Sequence, residues 1–398
     1  MSRDFICEGG NKGVGEYYKK QNINKVIMKK LLLSLSFLFT GVFVYSQITF
    51  EKTYGGSAYD DSYCVRQISD RGYIISGSTN SFGIGSLDAY LVRTDSIGDI
   101  LWTRTFGKPT KFIYGNIVEQ TNDGGFVIAC EARLNGWDGF LLIKTNSDGD
   151  TLWTRNFVAD NGADLKILNS IEQTNDGGYI IGAGGTGGGN LIRTDSYGDT
   201  IWTKRIGFSV EESINPCFVR NTKDGGYVVA CNDYTFSTNH DFALAKTDSS
   251  GNVLWSKVYG SSNDDFLVDV HQTSDGGYIM AGCTNGFGAG GYDAYLIKTD
   301  SIGVVTWSRT YGSAIYEYSY SVQQTIDCGY VIGGRSCNKV LVIKTDSNGL
   351  VLWSNHYKEA PDFCQPYVEQ TSDSGFIISG VVRNWLTGYD IYLITIVR

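Results

Sequence analysis

Short apolar runs alternate with turn-forming residues along most of the chain, and no helical period is sustained. Typical runs are YIISG at 73–77 and YLVRT at 90–94. Gly, Asp, Asn and Ser bound these runs, which is typical of short β-strands joined by tight turns. The pattern therefore predicts an all-β protein.

A unit of about 50 residues recurs seven times. Each copy contains a D-x-G turn between two apolar runs, at Asp70, Asp123, Asp176, Asp224, Asp275, Asp327 and Asp373. A second turn, T-[DN]-S-x-G, begins at Thr94, Thr145, Thr194, Thr247, Thr299 and Thr345, and we align Thr395 with its seventh place. A tryptophan follows each of the six turns, at Trp102, Trp153, Trp202, Trp255, Trp307 and Trp353.

Each unit supplies four strands, and a four-stranded sheet cannot bury both faces without neighbours. The repeat therefore predicts a seven-bladed β-propeller of four-stranded antiparallel blades, with residues 47–398 as one domain. The seventh unit lacks a Trp-bearing strand, but residues 48–55 match one, with Phe50 in the Trp position. We expect this N-terminal strand to complete the last blade and to remove an exposed sheet edge.

Residues 28–46 have the layout of a secretory signal peptide: Lys29 and Lys30, an apolar run, and then Ser46. The apolar run is short for a membrane anchor, which is the alternative. Residues 1–27 are polar and precede a better start at Met28, so we interpret them as a non-native upstream extension. The prediction is a secreted protein, located in the periplasm, at the cell surface or in the medium, with no membrane span in the mature chain.

Charge excludes some partners. The full chain has 33 basic and 42 acidic residues, and residues 1–46 contain 7 of the basic and 3 of the acidic ones. The mature chain therefore has 26 basic residues, 39 acidic residues and a net charge of −13. Such a field repels nucleic acid and anionic lipid, so we expect no nucleic-acid partner. The nine cysteines form no C-x-x-C motif, and we interpret most as small buried residues whose pairing the sequence leaves open.

The repeat Y-L-I-K-T-D-S-x-G-x-x-x-W-[ST]-[KR]-x-[YF]-G resembles the propeller repeats of exported Bacteroidota-type proteins, many of which carry a C-terminal sorting domain for type IX secretion. It is more distantly similar to quinoprotein repeats. The resemblance covers residues 48–398 and implies a β-propeller fold and export. No sorting domain follows Arg398, so attachment by that route is not expected. The quinoprotein resemblance would imply an oxidoreductase, but a shared blade architecture does not make a cofactor site.

The strand order predicts two unlike faces. The D-x-G and T-D-S-x-G turns share a uniform face, whereas the blade connections and the loops between second and third strands share a variable face, where binding is expected. Aromatic candidates for binding on the variable face are Phe82, Trp137, Tyr234, Phe287, Tyr292, Trp385 and Tyr389. Such side chains suit a glycan or protein partner; alternatively, several of them cap their own blades.

Acidic residues also mark the variable face. The candidates are Asp60, Asp61, Asp138, Asp264 and Asp265. Clustered carboxylates bind calcium or attract a cationic partner; the alternative is a set of solvated loops that keep an exported protein soluble. Because no D-x-D-x-D-G spacing is present, we predict no metal and no cofactor, with calcium as the alternative.

One polar residue ends the apolar run of each innermost strand. These residues are Arg66, Glu119, Glu172, Arg220, His271, Gln323 and Glu369. One interpretation is a charged collar in the central tunnel that binds an ion or holds a catalytic group. The favoured one is structural, with Arg66 between Glu119 and Glu369 and Glu172 beside Arg220, because buried charges are usually paired.

Three function classes follow. The preferred hypothesis is a monomeric, non-enzymatic binding or scaffold module that contacts a glycan or protein through the variable face. The second is a hydrolase of polysaccharide or peptidoglycan that uses rim acids such as Asp61 and Asp265 as acid and base. The third is a purely structural extracellular matrix protein. The three histidines lie in separate segments, so spacing supports neither a histidine metal site nor a Ser-His-Asp triad.

Overall fold

The computed structural model describes residues 47–397 except 110, 135–136, 159–166, 186–187, 208–216, 234–238, 385 and 387, and within them it contains 28 β-strands and no helix. The strands form seven four-stranded antiparallel sheets. The described residues are therefore a seven-bladed β-propeller, as the repeat predicts.

Six blades each use four consecutive strands, and the seventh uses the last three together with the first. Blade 1 holds β2 (Asp60–Gln67), β3 (Tyr73–Thr79), β4 (Asp88–Thr94) and β5 (Ile100–Phe106); blade 2 holds β6 (Phe112–Gln120), β7 (Phe126–Leu134), β8 (Trp137–Thr145) and β9 (Thr151–Val158); blade 3 holds β10 (Ile167–Gln173), β11 (Tyr179–Gly185), β12 (Gly188–Thr194) and β13 (Thr200–Ile206); blade 4 holds β14 (Cys217–Asn221), β15 (Tyr227–Asp233), β16 (Asp241–Thr247) and β17 (Val253–Tyr259); blade 5 holds β18 (Asp265–Gln272), β19 (Tyr278–Thr284), β20 (Asp293–Thr299) and β21 (Val305–Tyr311); blade 6 holds β22 (Glu317–Gln324), β23 (Tyr330–Ser336), β24 (Lys339–Thr345) and β25 (Val351–Glu359); blade 7 holds β26 (Tyr367–Gln370), β27 (Phe376–Asn384), β28 (Gly388–Val397) and β1 (Gln47–Tyr54).

The N-terminal strand completes blade 7, as predicted, by pairing antiparallel with β28. Phe50 stands opposite Thr395, just as Trp307 stands opposite Lys298 in blade 5. The predicted alignment of Thr395 with the repeat threonine is therefore wrong by one residue. Ile396 holds that place, because it pairs with Phe376 as Thr345 pairs with Tyr330. Blade 7 ends without a T-D-S-x-G turn, so the sequence there lacks the marker that aligns the other blades.

The core lies between the blades. In blade 1 every residue of β3 and β4 is buried, since both faces of a middle strand meet a neighbouring sheet. The outermost strand of each of blades 1–6 contributes a tryptophan that meets an aromatic residue of the next blade edge-on. The pairs are Trp102–Phe126, Trp153–Tyr179, Trp202–Tyr227, Trp255–Tyr278, Trp307–Tyr330 and Trp353–Phe376. Aromatic packing thus joins successive blades.

The D-x-G turns are held by a buried cation from the third strand of the same blade. The ion pairs are Arg93–Asp70, Lys144–Asp123, Arg193–Asp176, Lys246–Asp224, Lys298–Asp275 and Lys344–Asp327. In blade 5 the Asp275 carboxylate also accepts a hydrogen bond from Gly277 N at 3.0 Å. The aspartate therefore shapes the turn. In blade 7, Thr395 replaces the cation opposite Ile377.

Candidate functional site

The central channel is lined by the innermost strand of each blade, and five of these strands contain a β-bulge. The register shifts fall after Ser62, Gly115, Leu168, Leu267 and Ser319. A bulge inserts one unpaired residue and redirects its side chain. Four of these extra residues line the same cavity: Tyr63, Asn169, Val268 and Tyr320. The bulge, repeated from blade to blade, therefore builds the cavity wall.

The channel cavity has a volume of about 490 Å³. Five aromatic side chains line it: Tyr63, Tyr114, Phe218, Tyr320 and Tyr367. Its polar lining comes from Arg66, Glu131, Asn169, Arg220, Asp269 and Gln365. Of the sixteen residues that line the cavity, ten are aromatic or otherwise apolar and six are polar, a combination that suits a small-molecule or glycan site.

Charged side chains of the collar form ion pairs between neighbouring blades. Arg66 Nη1 lies 3.2 Å from Glu369 Oε2, and Arg220 Nε lies 3.4 Å from Glu172 Oε1. Arg66 also stacks on Tyr367 at 4.6 Å from the ring centroid. A second cavity, of about 400 Å³, lies on the side of the D-x-G turns. Among the described residues, Arg66 alone lines both cavities.

Side-chain oxygens of the collar residues also join successive blades by accepting hydrogen bonds. Glu119 accepts a hydrogen bond from Gln173 N at 3.2 Å, and Gln323 accepts one from Gln370 N at 2.5 Å. Glu172 and Glu369 accept equivalent bonds from Asn221 N at 2.6 Å and Gln67 N at 3.2 Å. The collar side chains therefore link neighbouring blades through hydrogen bonds to backbone amides as well as through ion pairs.

Two collar glutamates, one on either side of Arg66, have raised pKa values. Burial, and then the Glu172 carboxylate, raise the pKa of Glu119 to about 7, although Arg66 and Arg220 act in the opposite direction. Burial likewise raises the pKa of Glu369, against the effect of Arg66. These two collar carboxylates therefore take up a proton more readily than isolated carboxylates would.

Asp269 is a channel residue that the sequence analysis missed. It lies two residues before His271 and accepts hydrogen bonds from Arg220 Nη2 at 3.0 Å and from Val322 N at 3.1 Å. His271 Nε2 lies 3.3 Å from it. Burial alone would raise the pKa of Asp269, but His271 and Arg220 lower it to about 2. The sequence does contain a signal for Asp269, because no other blade has an acidic residue two places before its collar residue.

An aromatic belt runs across the variable face and ends at the channel cavity. We define it as His240, Phe266, Tyr292, Tyr318 and Tyr320, whose successive ring centroids are 4.4, 5.9, 5.7 and 6.4 Å apart. Because Tyr320 belongs to both the belt and the cavity wall, the two form one continuous surface across blades 4, 5 and 6.

Further aromatic and polar groups flank the belt. The exposed Tyr316 ring lies parallel to Tyr318, and Arg335 stacks over Tyr318 at 5.5 Å from its centroid. With Asp362, these three residues contribute to a cavity of about 390 Å³. Elsewhere on the face, Tyr59, Phe363 and Tyr389 form a cluster with centroid separations of 4.9 to 5.9 Å.

The aromatic candidates divide into three groups. Tyr292 and Tyr389 lie in the belt and in the Tyr59 cluster, respectively. Phe82 and Phe287 pack on Tyr90 and Tyr295 of their own blades at 5.4 and 5.6 Å, so they are the blade caps of the alternative interpretation. Tyr234 and Trp385 lie outside the described residues, and so do the side chains of Trp137 and Asp138 in β8.

Three of the acidic candidates, Asp60, Asp61 and Asp265, are buried, so the alternative of solvated loops fails for these three. Asp60 and Asp265 are both fully buried, and they accept hydrogen bonds from Gly56 N at 2.7 Å and Ser261 N at 2.6 Å. Each carboxylate replaces water with loop amides and thereby fixes the blade connection before it.

Asp61 and Asp264 also serve local structure. Asp61 accepts a hydrogen bond from Tyr59 Oη at 2.7 Å and another from Ser78 N at 2.8 Å, and burial raises its pKa despite these bonds. Asp264 is less buried and lies 3.0 Å from His240 Nδ1. Asp61 and Asp265 lie in blades 1 and 5 and have almost no solvent exposure, so an acid and base role for them gains no support.

Within the described residues, no cluster of three or more His, Cys, Asp or Glu side chains is arranged to hold a metal ion. The same residues include no helix that is long and apolar enough to span a bilayer.

No protein-family model matches the chain, and no curated protein matches it by sequence. Among solved structures, it is similar to BBS1N in complex with ARL6DN, with a TM-score of 0.52 at 9% identity over 87% of this chain and 96% of that one. A protein of unknown function from Bacteroides caccae matches with a TM-score of 0.44 and 15% identity, over 68% of this chain and 90% of that chain. Prolyl oligopeptidase B from Galerina marginata matches with a TM-score of 0.45 and 12% identity, over 84% and 50% of the two chains. At these identities the first similarity shows the β-propeller fold alone, and function must be argued from the site.

Proposed function

We propose that this protein is an exported, non-enzymatic binding module that holds an oligosaccharide on its variable face. The observation that carries the proposal is the continuity of the aromatic belt with the channel cavity through Tyr320. The segment 28–46, with its signal-peptide pattern, supports export.

The belt suits a sugar chain for a physical reason. Sugar rings present apolar C–H faces that pack on aromatic rings, and tyrosine adds a polar edge at low cost in conformational entropy. The channel cavity, at about 490 Å³, has the volume of a typical ligand pocket. Asn169 and Gln365 in its wall carry amides, which both donate and accept hydrogen bonds as sugar hydroxyls do.

The experiment is a calorimetric titration of soluble oligosaccharides into the chain from residue 47 onward, which contains every described strand. We expect at least one oligosaccharide to bind, and Tyr318→Ala and Tyr320→Ala each to weaken binding about tenfold, the effect of losing one stacking contact.

Phe82→Ala is the matched control, because Phe82 is an exposed aromatic residue of the same face that packs on its own blade. It should leave the affinity unchanged. A folded protein that binds no oligosaccharide, or that binds one equally well without Tyr318 and Tyr320, would refute the proposal. Capture of a protein by the same surface would instead support the protein-partner hypothesis.

A further inference from the structure

Two cysteines lie directly opposite each other in blade 4. Cys217, the first residue of β14, pairs in register with Cys231 of β15. Both side chains are buried, at 0% and 1% exposure. Among the eight cysteines that the structure describes, no other two face each other across paired strands.

The hydrogen-bond pattern places this pair at a position that suits a disulfide. Thr222 N donates to Gly226 O at 3.0 Å and closes the hairpin. Hydrogen-bonded and non-hydrogen-bonded pairs alternate from there along an unbroken register, so Cys217 and Cys231 form a non-hydrogen-bonded pair. The Cα atoms of such pairs lie about 4.5 Å apart, within the range of about 4.4 to 6.8 Å that disulfides span.

The sulfur atoms are directed to the same space. A Cβ atom at Gly189 of β12 would lie 2.4 Å from Cys217 Sγ and 2.7 Å from Cys231 Sγ. Glycine at this position leaves room for both sulfurs in the contact between blades 3 and 4. Five other blades carry at most one cysteine at the equivalent pair, as Ser62–Gly77, Gly115–Cys130, Leu168–Ala183, Leu267–Gly282 and Ser319–Gly334.

We propose that Cys217 and Cys231 form a disulfide bond in the exported protein, by exchange with a small disulfide such as oxidised glutathione. One cysteine thiolate attacks the small disulfide and releases one thiol. The second thiolate then attacks the mixed disulfide, forms the protein S–S bond and releases the second thiol. Two protein thiols are oxidised, one small disulfide is reduced, and the two protons go to the released thiols.

The bond forms while blade 4 is assembling. Burial in the folded protein raises the pKa of the Cys231 thiol well above its usual value, which makes that thiol unreactive once the blade has closed. The disulfide ties down β14, a strand of only five residues that carries Phe218 and Arg220 into the channel cavity. The inference needs an oxidising compartment and is independent of the proposed ligand.

Peptide mapping tests the bond directly. Trypsin cleavage after Arg205, Arg220, Lys223 and Lys246 separates peptides 206–220 and 224–246, each with a single cysteine. The chain from residue 47 onward is refolded in reduced and oxidised glutathione, denatured, alkylated and digested. We expect one cross-linked species that reduction splits into these two peptides. Recovery of both as alkylated thiols, or linked to other cysteines, would overturn the proposal.

Thermal unfolding gives a second measurement. A reductant should lower the Tm of the oxidised wild-type chain by about 5 °C, as expected for loss of a cross-link that closes a loop of about 15 residues. Cys231→Ala should abolish this shift. Cys130→Ala is the matched control, because Cys130 is buried at the same repeat position opposite Gly115, and it should retain the shift. A shift that persists in Cys231→Ala would contradict the assignment.

Discussion

Phe50 packs on Tyr73 with their ring centroids 5.9 Å apart. Phe50 belongs to the outermost strand of blade 7 and Tyr73 to the second strand of blade 1. This contact therefore takes the place of the tryptophan contact that joins each of the six remaining pairs of neighbouring blades. It closes the ring between the two ends of the described chain.

Phe50→Ala should therefore destabilise the whole propeller. Loss of a half-buried ring costs about 2 kcal/mol, somewhat less than for a fully buried phenylalanine, and urea unfolding would measure it. Ile48→Ala is the control on the same strand, because Ile48 is 44% exposed, and it should cost under about 0.5 kcal/mol. Equal effects of the two changes would show that the Phe50 contact is unimportant.

Glu119→Gln should stabilise the protein at pH 8 and have little effect at pH 5. The folded-state pKa of Glu119 is about 7, above its ordinary value of 4.5, so the folded state favours the protonated form. Deprotonation therefore destabilises the fold progressively as the pH rises from 4.5, in full above 7. Removing the charge should add about 1 to 2 kcal/mol at pH 8.

The chain offers a natural precedent for this variant. Gln323 occupies the same repeat position in blade 6 and accepts the equivalent hydrogen bond from Gln370 N. Thermal unfolding of both proteins at the two pH values is the measurement. A stabilisation that is the same at pH 5 and pH 8 would exclude titration of Glu119 as its cause.

Ser374→Gly should stabilise blade 7. Ser374 is the middle residue of its D-x-G turn and has a φ of 69°, in the left-handed region, where Gly276 with a φ of 84° occupies the same place in blade 5. A residue with a side chain is destabilised by about 1 to 2 kcal/mol in this conformation, and glycine removes this strain. Part of the gain is offset because glycine has greater conformational freedom in the unfolded chain.

We expect a net gain of about 0.5 to 1 kcal/mol in the free energy of unfolding, measured with urea. The reverse change, Gly276→Ser, should destabilise the protein by a similar amount. Effects of the same sign in the two variants would contradict the strain argument.

Asp275→Asn should weaken the fold at neutral pH. Burial alone would raise the pKa of Asp275, but hydrogen bonds from Thr273 and Lys298 lower it to about 2, below its ordinary 3.8. The ionised form therefore stabilises the fold above pH 3.8, and this stabilisation is lost as the pH falls through 2. The carboxylate is 62% exposed, so screening limits the effect to about 0.5 to 1 kcal/mol.

Urea unfolding at pH 7 and at pH 3 would measure this difference, which should shrink at the lower pH. Asp373→Asn is the matched comparison, because Thr395 stands where a cation pairs with the other aspartates, and it should cost less at pH 7. A larger loss for Asp373→Asn than for Asp275→Asn would refute the role of Lys298.

Part of the site followed from sequence and part did not. The collar residues Arg66 and Glu369 could be paired from the repeat, because equivalent residues of neighbouring blades must meet around a ring. The buried state of Asp60 and Asp265 could not, because it depends on loop amides that fold back onto each carboxylate. Polar residues beside turns have the same sequence pattern whether they face water or those amides.

Sequence alone determined the seven blades, their four strands and the strand that closes the ring, because these features depend on a repeated alternation of apolar runs and turns. Only the tertiary structure decided that bulges turn Tyr63 and Tyr320 into one cavity, that aromatic residues of three blades form a belt, and that Cys217 meets Cys231. A repeat specifies which strands pair, whereas a bulge shifts the pairing by one residue without altering the repeat. The side chains that line the channel therefore depend on contacts between blades that are far apart in sequence.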